Sequence, residues 1–88
     1  MSKPILVSLS SDLTNFEVAD LKHTLQTHFA GNHTVKLDLT HAGKIDASGL
    51  QLIVAAHRSG QLILHGLSAS LVEDCRRIGW DPSEQGIL

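Results

Sequence analysis

Val35-Lys36-Leu37-Asp38-Leu39-Thr40-His41-Ala42-Gly43-Lys44-Ile45-Asp46-Ala47-Ser48-Gly49-Leu50 carries two hydrophobic periods in succession. Val35, Leu37 and Leu39 alternate with Lys36, Asp38 and Thr40, the repeat of a strand with one covered face. Gly43-Lys44 breaks that repeat. From Ala47 the apolar positions fall at helical spacing: Leu50, Ile53, Val54 and His57 form an inner stripe that Leu52 and Ala56 widen. Asp46 stands where an N-cap residue belongs, and Ser59-Gly60 stops the helix near Arg58. A strand that leads through a short loop into a helix is half of a parallel crossover unit.

The same alternation of periods continues on both sides. Upstream, Ile5, Val7 and Leu9 share one face of a strand, and Val18, Leu21, Leu25 and Phe29 fall on one side of a helix. Thr14 or Asn15 can cap that helix, and Gly31-Asn32 ends it. Downstream, Leu62 and Leu64 belong to a strand over Gln61–His65, closed by Gly66. A last helix follows, with Leu71, Val72, Cys75 and Ile78 inward. Ser68 or Ser70 can open it, and Arg76 and Arg77 sit in its final turn, where cations favour the helix dipole. The predicted order is βαβαβα in the α/β class, with a mainly parallel sheet and helices chiefly on one face. One domain over 1–88 is expected, its core at about 4–80 and a loose tail over 81–88.

Composition narrows the function. The 88 residues hold 42% hydrophobic and 18% charged side chains, which suits a folded domain rather than a disordered chain. Seven Lys and Arg, scattered singly or in pairs, and a formal net charge of -2 leave no footprint for nucleic acid or an anionic membrane surface. No apolar run approaches the roughly 20 residues of a membrane span, and the N-terminus lacks a signal-peptide pattern. The single Cys75 excludes an internal disulfide and a thiolate zinc site, and its place on an apolar stripe reads as a core thiol. A reducing, cytoplasmic setting is expected. His23 and His28 are five apart, His33, His41, His57 and His65 show no ligand spacing, and no metal or cofactor is expected. No nucleophile–base pair and no phosphate-binding glycine loop is legible. The chain does not read as an enzyme.

The central segment resembles the signature of STAS domains of the anti-anti-sigma type. In that family a strand of the form Leu-Asp-Leu-Ser precedes a short loop and an Ile-Asp-Ser-Ser-Gly-Leu helix start. Here these are Leu37-Asp38-Leu39-Thr40 and Ile45-Asp46-Ala47-Ser48-Gly49-Leu50. Leu9 to Lys22 aligns with the family's first strand end and first helix, and Arg76-Arg77-Ile78-Gly79-Trp80 with its closing helix. The resemblance covers nearly the whole chain. It departs at Thr14, where the family has an acidic residue, at Ala47, where it has serine, and in a shortened N-terminal hairpin.

The resemblance implies a signalling adaptor that binds a serine kinase acting as an anti-sigma factor and is switched by phosphorylation at Ser48, with a phosphatase resetting it. Asp46, Ala47, Ser48, Gly49, Leu50, Asp38 and Thr14 would form the partner-binding surface. Gly49 is expected to leave the helix start open to a partner's backbone. STAS domains also serve as subunits of lipid-transporting ABC ATPase complexes, docking through the central helix without phosphorylation, and Thr14 suits that alternative. Because Ile5 begins the first strand almost at once, an exposed sheet edge is expected to favour a homodimer or a partner's strand.

Overall fold

The computed structural model describes residues 3–85. Six elements follow in the expected order: β1 (Ile5–Ser8), α1 (Asn15–Ala30), β2 (Val35–Asp38), α2 (Ala47–Arg58), β3 (Leu62–His65) and α3 (Ala69–Arg77). The strands form one parallel sheet in the order β1-β2-β3, with Ile5 beside Val35 and Val35 beside Leu62. Each crossover therefore steps in the same direction. Right-handed connections then place α1 and α2 on the same side of the sheet.

Burial follows that geometry. Val35, Leu37, Leu62 and Leu64 point into the core, while the row Leu6, Lys36 and Ile63 crosses the opposite face, with Leu6 62% and Ile63 44% exposed. Among the described residues no helix covers that second face, as the strand alternation predicts. Leu21 and Leu25 of α1, Leu50, Ile53 and Val54 of α2, and Leu71 and Cys75 of α3 fill the layer above the sheet. Burial pushes the Cys75 thiol above its ordinary pKa, consistent with a core thiol rather than a reactive one.

Several local expectations are corrected. β1 ends at Ser8 and β3 begins at Leu62, one residue inside the predicted limits at each point. Ser68 alone caps α3, accepting the Leu71 N–H at 3.1 Å, and Ser70 lies within the helix. Ile78 is 50% exposed because α3 stops at Arg77, after which the backbone leaves the helical phase through Gly79 at φ 83°. His57 is half-buried, its ring meeting Trp80 edge-on at 5.3 Å.

The structure describes part of the segment read as a loose tail. Residues 82–85 form a turn in which the Asp81 carboxylate accepts from the Ser83 N–H and hydroxyl, and Pro82 is fully buried. The last part of the expected tail, 86–88, lies outside the described residues. Removing residues 81–88 should lower the urea midpoint by the equivalent of roughly 1–2 kcal/mol, the value of one buried apolar side chain. An unchanged midpoint would return the segment to the status of a tail.

Candidate functional site

All three helices start at the edge of the sheet where the strands end, so the β1–α1 and β2–α2 loops lie side by side. Leu13 donates its N–H to the Lys44 carbonyl at 2.7 Å and accepts the Asp46 N–H at 3.1 Å, an isolated parallel bridge between Leu13 and Ile45. Gly43 donates to the Ser11 carbonyl at 3.0 Å, and Lys44 donates its N–H to the Asp12 carboxylate at 2.7 Å. Two loops that would otherwise expose their backbone groups thus satisfy each other. The splice brings the first turns of α1 and α2 together.

At the α2 start, Asp46 is the N-cap, and its Oδ1 accepts the Gly49 N–H at 3.0 Å and the Ser48 hydroxyl at 2.7 Å. The Ser48 oxygen also lies 2.9 Å from Oδ1 of Asn15, the first residue of α1. One hydroxyl proton cannot serve both acceptors. The carboxylate, being charged, takes it, and Asn15 completes the arrangement when its amide presents NH2 to the serine oxygen. Ser48 is half-buried, at the second position of the helix. It is a knot between two helix starts, with one side open to solvent.

At the α1 start, Thr14 is the N-cap, and the Glu17 carboxylate accepts both its N–H, at 3.0 Å, and its hydroxyl. The Thr-x-x-Glu spacing of a capping box is present in the sequence, and Glu17 is the half of it that the choice of Thr14 or Asn15 as cap leaves out. Asn15 and Leu13 are the other contributors that sequence reasoning missed. No spacing rule connects Asn15 to a serine 33 positions away.

The hydrogen bonds set the carboxylates' acidity. The Gly49 N–H and then the Ser48 hydroxyl hold the Asp46 carboxyl below its ordinary pKa. The Thr14 hydroxyl and N–H do the same for Glu17, while the nearby Asp46 charge opposes the shift. Asp38 is lowered by the Thr40 hydroxyl and N–H; its carboxylate folds back on its own turn rather than joining the cluster around Ser48. The structure therefore brings Thr14, Asp46, Ala47 and Ser48 together and leaves Asp38 on the open sheet face.

Gly49 and Leu50 face inward, and the expected open approach at Gly49 is corrected. A Cβ at Gly49 would stand 2.7 Å from the Leu13 carbonyl oxygen and 2.8 Å from Leu13 Cγ. The space belongs to Leu13, whose side chain is 0% exposed, and not to a partner. Leu50 is buried in the core. Ala47 is exposed, and with Asp46, Arg77 and the exposed Ile78 it rims a shallow groove between α2 and α3.

Two tests follow from this geometry. Alanine normally stabilises a helix over glycine by roughly 0.5–1 kcal/mol, but Gly49→Ala should destabilise by about 1–3 kcal/mol because the Leu13 backbone cannot yield. A raised melting temperature would contradict the close approach. The second test is pH. Asp46, Glu17 and Asp38 have lower folded than unfolded pKa values, so their stabilisation is complete above the ordinary carboxylate value near 4 and is lost as pH falls through the folded values. Asp46→Asn keeps a capping acceptor and should make the acid loss of stability shallower, read as urea midpoints from neutral pH to about pH 2. An unaltered pH profile would remove Asp46 from that role.

No curated protein and no solved structure matches the chain. No helix among the described residues is long and apolar enough to cross a membrane. A family model described as "Mlab, STAS domain" matches residues 2–87. That span includes the spliced loops, both helix starts and the whole sheet, and the family's role is generally non-catalytic protein interaction. The chain belongs to the STAS domain family.

Proposed function

We propose that this chain is a non-catalytic cytoplasmic signalling adaptor of bacterial type, resembling an anti-sigma factor antagonist. It binds a serine kinase that acts as an anti-sigma factor, and phosphorylation at Ser48 releases it. One observation carries the reading: the Ser48 hydroxyl lies 2.7 Å from the Asp46 carboxylate at the α2 start, half-buried and beside the exposed Ala47. A phosphate on that oxygen brings about -1.5 to -2 charges next to Asp46, in a chain whose formal net charge is only -2. The unsatisfied first-turn amides favour an anion, but Asp46 already takes the Gly49 N–H. Repulsion therefore drives the phosphate outward and breaks the bonds to Asp46 and Asn15. A partner seated on Ala47 and the groove toward Ile78 would meet both the new charge and the loosened helix start.

A second reading is favoured by the fact that the Ser48 oxygen is already held by two internal partners. In it Ser48 is a fixed part of the docking surface, and the chain is the STAS subunit of a lipid-transporting ABC ATPase complex, without phosphorylation. The two readings give different results in a capture experiment with the tagged chain: a serine kinase in the first, an ABC ATPase in the second.

In the adaptor reading, Ser48→Asp should weaken titrated binding to the kinase by roughly 30-fold or more, since like charge across an interface costs several kcal/mol. Ser48→Ala should bind about as well as the wild type and should not be released by ATP. Equal affinity of the two variants would contradict the switch.

A further inference from the structure

β1 is an open edge of the sheet, and its pattern is self-complementary. Ile5 donates its N–H to the Thr34 carbonyl at 2.8 Å and Leu9 donates to the Asp38 carbonyl at 3.0 Å. In a parallel ladder, alternate residues use their backbone groups on the same side, so Ile5, Val7 and Leu9 face β2, while Leu6 and Ser8 turn their N–H and C=O outward. Among the described residues, nothing takes those outward groups. Within Ile5–Ser8 the four residues carry no charge and no proline; the edge-blunting residues Lys3 and Pro4 stand just before them.

Side-chain burial points the same way. On the helix-covered face, Val35, Leu37, Leu62 and Leu64 of β2 and β3 are between 0% and 6% exposed. Their neighbours Ile5, Val7 and Leu9 are only half-buried, because no described residue flanks them on the outer side. Among the described residues the core is therefore unfinished along one edge.

We infer that β1 pairs antiparallel with β1 of a second copy of this chain about a two-fold axis at Val7, giving a six-stranded sheet across the dimer. With that centre, Leu6 of each protomer exchanges both backbone bonds with Ser8 of the other, four bonds in all, and no outward group of Leu6 or Ser8 is left over. The half-buried residues meet in the same step: Val7 faces its own copy, and Ile5 faces Leu9. Beyond the strand, the exposed Lys3 of one protomer and the exposed Asp12 in the loop of the other lie toward the same end of the pair, opposite charges at both ends. An isologous contact of this kind closes on itself and does not propagate. It involves neither Ser48 nor the α2–α3 groove, so it is independent of the proposed function.

Sedimentation equilibrium over a range of concentration tests the pairing, with amide hydrogen exchange as the site-specific readout. The wild type should sediment at twice the 9.5 kDa chain mass, and the Leu6 and Ser8 amides should exchange at least about tenfold more slowly in the dimer than on dilution. Ser8→Pro removes an outward donor that the protomer itself does not use, so it should give a folded monomer. Ile63→Lys, on the open sheet face, should leave the dimer intact. A monomeric wild type at high concentration, a dimer that survives Ser8→Pro, or one that dissolves only with Ile63→Lys would each overturn the proposal. So would Leu6 and Ser8 amides that slow only when another protein's strand is added. If Ser8→Pro does not fold, the concentration dependence of the two amides in the wild type decides alone.

Discussion

Leu13 gives its N–H to the Lys44 carbonyl, takes the Asp46 N–H on its own carbonyl, and sinks its side chain against Gly49. That contact locks two loops that belong to different crossover units. Full burial of a leucine contributes roughly 1.5–3 kcal/mol, and the paired amides avoid the cost of leaving polar backbone groups unmade. The consequences run outward from there. Because the bridge sets where Asp46 sits, it sets where α2 begins; because α2 begins beside α1, Ser48 and Asn15 meet. Gly49 is the residue that makes the approach sterically feasible.

The electrostatics of the site rest on the same placement. Asp46 and Glu17 each close a helix start, and each carboxylate is stabilised as an anion by the hydrogen bonds it accepts. They also sense each other as like charges. A neutral hydroxyl at Ser48 fits between Asp46 and Asn15, donating to the carboxylate with the Asn15 amide oxygen 2.9 Å away. An anion there has no such fit. The arrangement is bistable in a limited chemical sense: it is satisfied with serine unmodified and unsatisfied once that oxygen carries charge. An ABC ATPase subunit would use the same surface in the first state only.

Much of this was legible before any coordinates. The change to a helical period at Ala47, the strand over Gln61–His65 and the stripe of Leu71, Val72 and Cys75 locate the elements, and Asp46 reads as a cap because a short acceptor stands directly ahead of an apolar helical stripe. The uncovered face followed from the strict alternation of Val35, Leu37 and Leu39. Other features were not legible. Leu13 lies in a loop with no periodic neighbours, so nothing marked it as a fully buried residue. Gly49 reads as open space for a partner, since a glycine in the sequence does not reveal what occupies the room it leaves. Asn15 reaches Ser48 only through the loop splice, a tertiary event. Ile78 keeps the helical spacing of α3 but falls beyond its last turn, and composition says nothing about whether Pro82 finds a pocket.

The chain therefore combines a settled interior, a helix-start knot with one face to solvent, and a sheet edge that no described residue pairs. The account of its function turns on whether the oxygen at position 48 ever acquires charge in the cell. Intact-mass spectrometry of the protein isolated from its own cells, with the position located by fragmentation, measures that directly. The account requires a fraction of the chain carrying a single phosphate, located on Ser48. A chain found wholly unmodified while still bound to its partner under every growth condition would contradict it.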